Sequence, residues 1–169
     1  LIILLAKTGI RRGELQKLDV NDINWKEQSI RLKPTPKRKN RTVFFDDEAA
    51  ILLNRWLKAR ETRNKKDCKS LFINTHGNRI GKNEVYLAVS QPAKLLGLYD
   101  PSSDRLEDHF GPHCCRHWFT THMRRAGMPR EFIQEIRGDV RKDAIDIYDH
   151  IDKKELKEKY LECIPKLGI

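Results

Sequence analysis

A chain of 169 residues is long enough to bury one core and too short for two comfortable ones. Hydrophobic residues make up 38% of it, low for a globular domain but above the range of a disordered chain. The 34 Lys and Arg outnumber the 24 Asp and Glu, and the net charge of +10 favours a polyanionic partner, of which nucleic acid is the commonest. Cys68, Cys114, Cys115 and Cys163 include no Cys-x-x-Cys pair, which argues against a disulfide framework or a zinc site and for reduced thiols. The apolar opening Leu1 to Leu5 ends at Lys7, far short of a membrane span, and lacks the basic start and cleavage site of a signal peptide.

In chain order, Leu1 to Lys7 reads as the end of a buried helix stopped by Gly9, so the chain is expected to be cut from a longer protein. Arg11 to Leu18 suits a short helix. Ser29 to Lys33 and Arg41 to Phe45 read as two strands joined by a basic turn from Pro34 to Asn40. Asp46-Asp47 caps a helix whose apolar residues Ala50, Leu53, Trp56 and Leu57 recur at helical spacing. Leu71 to Asn74 suggests a small strand, and Asn83 to Leu96 a further helix. A polar, proline-marked loop runs from Asp100 to Pro112. His113 to Ala126 and Pro129 to Ile136 are predicted helices split by Gly127, Asp143 to His150 a short helix or turn, and Lys153 to Leu161 a terminal amphipathic helix. The expectation is one α+β domain, mostly α, spanning residues 1–169, with a small antiparallel sheet near the start.

Three segments carry the chemistry: Thr8-Gly9-Ile10-Arg11-Arg12-Gly13-Glu14-Leu15, His113-Cys114-Cys115-Arg116-His117, and Tyr148-Asp149-His150. His113 and Arg116, three apart on a helix, leave from one face. An imidazole beside a guanidinium suits phosphoryl chemistry, since one moves a proton while the other forks onto phosphate oxygens. Cys114 and Cys115 cannot converge on a metal with their neighbours, because adjacent helical residues diverge by about 100°.

Together these segments closely resemble the tyrosine recombinase (phage integrase) family. Its first box, Thr-Gly-x-Arg-x-x-Glu-Leu, is matched throughout by residues 8 to 15, and its second, His-x-x-Arg-His, follows roughly a hundred residues later. The family's nucleophile lies roughly thirty residues beyond the second arginine, where Tyr148 and His150 stand. The resemblance implies the catalytic-domain fold of these DNA breaking and rejoining enzymes, with a helical N-terminal DNA-binding domain outside this fragment. It implies site-specific cleavage of double-stranded DNA through a 3′-phosphotyrosyl link at Tyr148, with no cofactor, metal or ATP. It further implies a homo-tetramer on paired sites, and a cytoplasmic, nucleoid-associated setting with no membrane.

By the same resemblance Arg11 and Arg116 clamp the phosphate and His113 is the acid/base partner. A hairpin lysine protonates the leaving oxygen; Lys37 is taken for it, with Lys39 and Lys33 as neighbouring alternatives. Glu14 is expected to orient the boxed arginine and His117 to support the second box. Lys33, Arg38, Lys39 and Arg41 are expected on DNA. One departure stands out. Where the family carries Leu-Gly-His, this chain has Arg137-Gly138-Asp139. Asp139 thus takes a catalytic-site position with a group that, ionised, only accepts hydrogen bonds and repels phosphate. It either turns to an active-site arginine or histidine, or weakens the site. That departure keeps open a DNA-binding regulator or mobile-element relic of the same fold, and a type IB topoisomerase-like enzyme is a further alternative.

Overall fold

The structure, a computed structural model, describes residues 1–34, 40–64, 66–105, 108–139 and 151–169. The expected helix or turn at Asp143 to His150 and most of the basic turn lie outside the described residues.

The apolar start folds as helix α1 (Ile2–Thr8), with Leu4 and Leu5 completely buried. Gly9 ends it at φ 61°, and a Cβ there would lie 2.5 Å from the Phe119 ring. Only glycine combines a left-handed backbone with so close an approach. This turn delivers Arg11 to the start of α2 (Arg12–Lys17). The Glu14 carboxylate reaches back 2.8 Å to the Arg11 backbone N–H and satisfies one of the free donors of the helix start.

After a 3-10 turn (Val20–Asp22) comes a three-stranded antiparallel sheet in the order β1 (Ile23–Asn24), β2 (Ser29–Leu32), β3 (Arg41–Phe44). The register sets Ile30 opposite Val43 and Leu32 opposite Arg41. The first strand was not anticipated; two residues are too few for an alternating pattern to register. The expected strand at Leu71 to Asn74 is corrected: that stretch makes only isolated bridges, Ser70 with Asp19 and Ile73 with Arg79.

Helix α3 (Asp47–Glu61) begins where the Asp46 carboxylate accepts the Ala49 N–H at 3.1 Å. Helices α4 (Lys82–Leu95), α5 (Pro112–Arg125), α6 (Arg130–Arg137) and α7 (Lys153–Cys163) complete the described elements. Helices α1 and α5 form the middle of the core, where Phe119 and Met123 meet Leu4, Leu5 and Ile10 without exposure. Among the described residues no helix is long and apolar enough to cross a membrane.

In the last turn of α1, two residues before Gly9, the core encloses a charged knot. The fully buried ammonium of Lys7 donates to Asp46 at 2.7 Å, to Glu48 at 2.6 Å and to the Pro165 carbonyl at 2.5 Å. Glu48 also accepts the backbone N–H groups of Leu167, Gly168 and Ile169, which fastens the C-terminal tail. Lys7 drives Glu48 down to about 2, helped by the Leu167 N–H. Tyr160 packs here without exposure, its hydroxyl donating to the Lys7 carbonyl at 2.9 Å.

Candidate active site

Arg11 stands at the start of α2, Arg116 and His113 on α5, and Asp139 just past the end of α6. These separate segments meet at one point. Arg11 donates through Nη2 to Asp139 Oδ1 at 2.7 Å and through Nη1 to the Arg137 carbonyl at 2.8 Å. Arg116 reaches the same two acceptors with Nη2, at 2.9 Å and 3.1 Å, and anchors Nη1 on the Gly9 carbonyl at 2.5 Å. The box-one glycine thus ends a helix and also holds the box-two arginine.

The pair opens onto a cleft of about 320 Å³ lined by Ile10, Arg11, Arg12, Gly13, Pro112, His113 and Arg116. Its walls present guanidinium groups and an imidazole, a donor set suited to a phosphate. The side chain of Arg116 is only 2% exposed and that of Arg11 30%, so one is fixed and the other meets solvent. Burial, then the neighbouring Arg11 and Arg137, press the pKa of Arg116 down, while Asp139 and Glu14 support its charge. Burial opposes ionisation of Asp139, but Arg116, Arg137 and Arg11 outweigh it and hold its carboxyl below the usual range.

His113 lies on the solvent-facing side of the cleft with its ring edge-to-face on His117, centroids 4.4 Å apart. Partial burial, followed by the positive fields of His117 and Arg116, lowers its pKa from 6.5. Neutral imidazole therefore prevails at pH 7, the form that can accept a proton.

Glu14 grips Arg41 rather than the boxed guanidinium. Its two oxygens take Arg41 Nη1 and Nη2 at 2.7 and 2.8 Å, while Arg11 Nη1 stays 3.9 Å away. Arg41 Nε donates to the Ile136 carbonyl at 3.0 Å. Arg41, expected on DNA, has a side chain only 7% exposed that ties β3 to α2 and α6. Gly138, at φ 61°, makes room for it, since a Cβ would lie 2.7 Å from that guanidinium. Lys33 is occupied too, paired with Asp19 and 3.6 Å from Asp22. Tyr148, His150, Lys37, Arg38 and Lys39 lie outside the described residues.

The sequence profile of the phage integrase family matches residues 1–155. The chain belongs to the phage integrase family. It is 31% identical over 163 residues to a tyrosine recombinase XerC of Corynebacterium glutamicum, covering 96% of this chain and 49% of that protein. It is 32% identical to the XerC of Haemophilus influenzae over 96% of this chain and 52% of that one. The chain spans about half the length of these curated relatives. A crystal structure of XerA recombinase superimposes with a TM-score of 0.71 at 27% identity, over 96% of this chain and 56% of that one. XerH recombinase bound to its difH substrate, a pre-cleavage complex, gives 0.66 at 27% identity, over 93% of this chain and 44% of that one. The fold is accordingly that of the integrase catalytic domain, mostly helical with a small antiparallel sheet.

Two members of the site escaped the sequence reading. Arg12 lines the cleft beside Arg11. Arg137 contributes the carbonyl that both clamp arginines share, and its Nε lies 2.9 Å from Asp139 Oδ2. Both are consecutive with residues already singled out, and adjacency to the boxes was the signal available. The chain's other three tyrosines are engaged elsewhere: Tyr160 in the core, and Tyr86 and Tyr99 hydroxyl to hydroxyl at 3.2 Å.

Proposed function

We propose that this chain is the catalytic portion of a site-specific DNA recombinase that cleaves and rejoins strands through a covalent 3′-phosphotyrosyl link. The observation that carries the reading is the convergence of Arg11 and Arg116 on one anionic oxygen, at 2.7 and 2.9 Å, beside a neutral His113. A phosphodiester gains negative charge as its pentacovalent transition state forms, and two preset guanidinium groups meet that charge without reorganising.

In the proposed reaction the Tyr148 phenol oxygen attacks phosphorus while its proton passes to His113. The bond from phosphorus to the 5′-oxygen breaks, and Lys37 returns a proton to that oxygen. The phosphodiester is exchanged rather than hydrolysed, so the reverse attack by a 5′-hydroxyl reseals the strand. His117, edge-on to His113, steadies the imidazole. Double-stranded DNA is the substrate, with Arg38 and Lys39 on its backbone, and copies of the protein act as a tetramer on paired sites. The place of action is the nucleoid in the cytoplasm.

A randomised duplex pool, selected for binding to the protein and then nicked beside candidate scissile positions, tests this. Covalent protein–DNA adduct with the wild type and none with Tyr148→Phe is the expected result. Adduct surviving in Tyr148→Phe would transfer the nucleophile elsewhere. Selected duplexes that bind yet give no adduct would favour a DNA-binding regulator of the same fold.

A further inference from the structure

We infer that Asp139 is a built-in stand-in for the scissile phosphate: its carboxylate occupies the clamp until a phosphate displaces it. The inference rests on the reading of Arg11 and Arg116 as a phosphate clamp. Asp139 Oδ1 sits between Arg11 Nη2 and Arg116 Nη2, where a non-bridging phosphate oxygen would take the same two donors. Its side chain remains 27% exposed, so solvent reaches it on the Arg11 and Arg116 pair that lines the cleft.

The rest of the contact supplies the means of release. Arg137 Nε stands 2.9 Å from the second oxygen, Oδ2, outside the pair that grips Oδ1. When a phosphate takes over Oδ1's two donors, the carboxylate keeps a cationic neighbour in Arg137 and is not left as a bare charge. The clamp is equally well prepared for the exchange. Arg11 and Arg116 both remain on the Arg137 carbonyl, Arg116 also on the Gly9 carbonyl, and these neutral acceptors do not compete for the incoming charge. Arg116 Nε and Arg137 Nε, both buried, have no hydrogen-bond acceptor among the described residues, so donors around the clamp outnumber acceptors and the 2.9 Å approach of Arg137 to Oδ2 is an ion pair without a formed hydrogen bond. The residues 137 and 139 therefore act as a pair, one carrying the plug and the other its resting place. A plug of this kind keeps two like charges assembled in the absence of DNA, and makes occupancy by phosphate conditional on expelling a carboxylate.

Inorganic phosphate, titrated into the intact chain at constant ionic strength, gives a test that needs neither a target site nor turnover. Removing an internal competitor raises apparent affinity by the inverse of the fraction of time the site was open, so for a site open about a tenth of the time Asp139→Asn and Asp139→Ser should each tighten phosphate about tenfold. Loss of that binding in Arg11→Ala locates it at the clamp. A crystal structure of the wild type soaked in phosphate separates displacement from a mere change of field: the bound oxygen should replace Oδ1 on both arginines, with Asp139 turned to Arg137. Unchanged or weaker binding in both folded variants, or phosphate bound with Asp139 still on Arg11 and Arg116, would overturn the inference. Strand cleavage by Tyr148 is read separately by adduct formation, so either idea can fail while the other stands.

Discussion

Lys7 and Arg116 are both buried cations lodged against carboxylates, and they are finished differently. Each hydrogen of the Lys7 ammonium has an acceptor in Asp46, Glu48 or the Pro165 carbonyl, and the group is sealed from solvent. Arg116 has its Nη1 fixed on Gly9, shares Asp139 with Arg11, and leaves Nε without an acceptor among the described residues. Its carboxylate partner is 27% exposed to solvent. Charge that is fully paired inside holds elements together; charge whose partner is exposed and shared is available to a ligand. The contrast separates the charges that secure the tail from those proposed to meet phosphate.

Substitution should divide the two regions cleanly. Lys7→Met strips the buried cation from the 1% exposed Asp46, leaving it only the largely exposed Lys166 at 3.4 Å, and breaking such a buried pair costs about 3–5 kcal/mol of stability. Urea unfolding reads that loss, while phosphate binding by the molecules still folded should be unchanged. A loss below about 1 kcal/mol, the range of a surface pair, would mean that the knot is solvated.

A smaller effect follows from pH. With its pKa lowered from 6.5, His113 stays neutral on going somewhat below that value, so adduct formation should hold at pH 6.5 and decline only at lower pH. His113→Gln removes this acid limb. Glu48 behaves in the opposite register: held at about 2 in the fold against 4.5 normally, it stabilises above pH 4.5, and its contribution disappears as pH falls through about 2. Activity is thus predicted to fade in acid before the tail is released. Simultaneous loss of both would place the two regions under one titrating group.

Much of the clamp was legible because it sits in contiguous boxes. Gly9 marks its own left-handed turn, and Arg11, His113 and Arg116 occupy motif positions that need no long-range information. Asp139 was legible as an anomaly, with a turn to an active-site arginine as one of its outcomes, but the sequence did not choose between them. Which way its carboxylate turns depends on the left-handed backbone at Gly138, and that turn is packed on Arg41 from a strand ninety-five positions from Ile136. The partner of Arg41 was hidden for the same reason: beside a basic turn it reads as a DNA contact, and nothing local announces that Glu14, twenty-seven positions away, holds both arms of its guanidinium. Leu71 to Asn74 has the apolar look of a strand, yet pairing partners decide strands, and it finds only single bridges. Local pattern located the helices; charge partners were set by contacts across the fold.

The most direct test of the clamp is adduct formation on two nicked duplexes, one ordinary and one with a neutral methylphosphonate at the scissile position. If Arg11 acts on the phosphate charge, Arg11→Ala should slow the ordinary duplex about a hundredfold, the scale of one lost preset donor, and the methylphosphonate only slightly. An equal slowing on both would contradict the account, because Arg11 would then be serving something other than the charge on that oxygen.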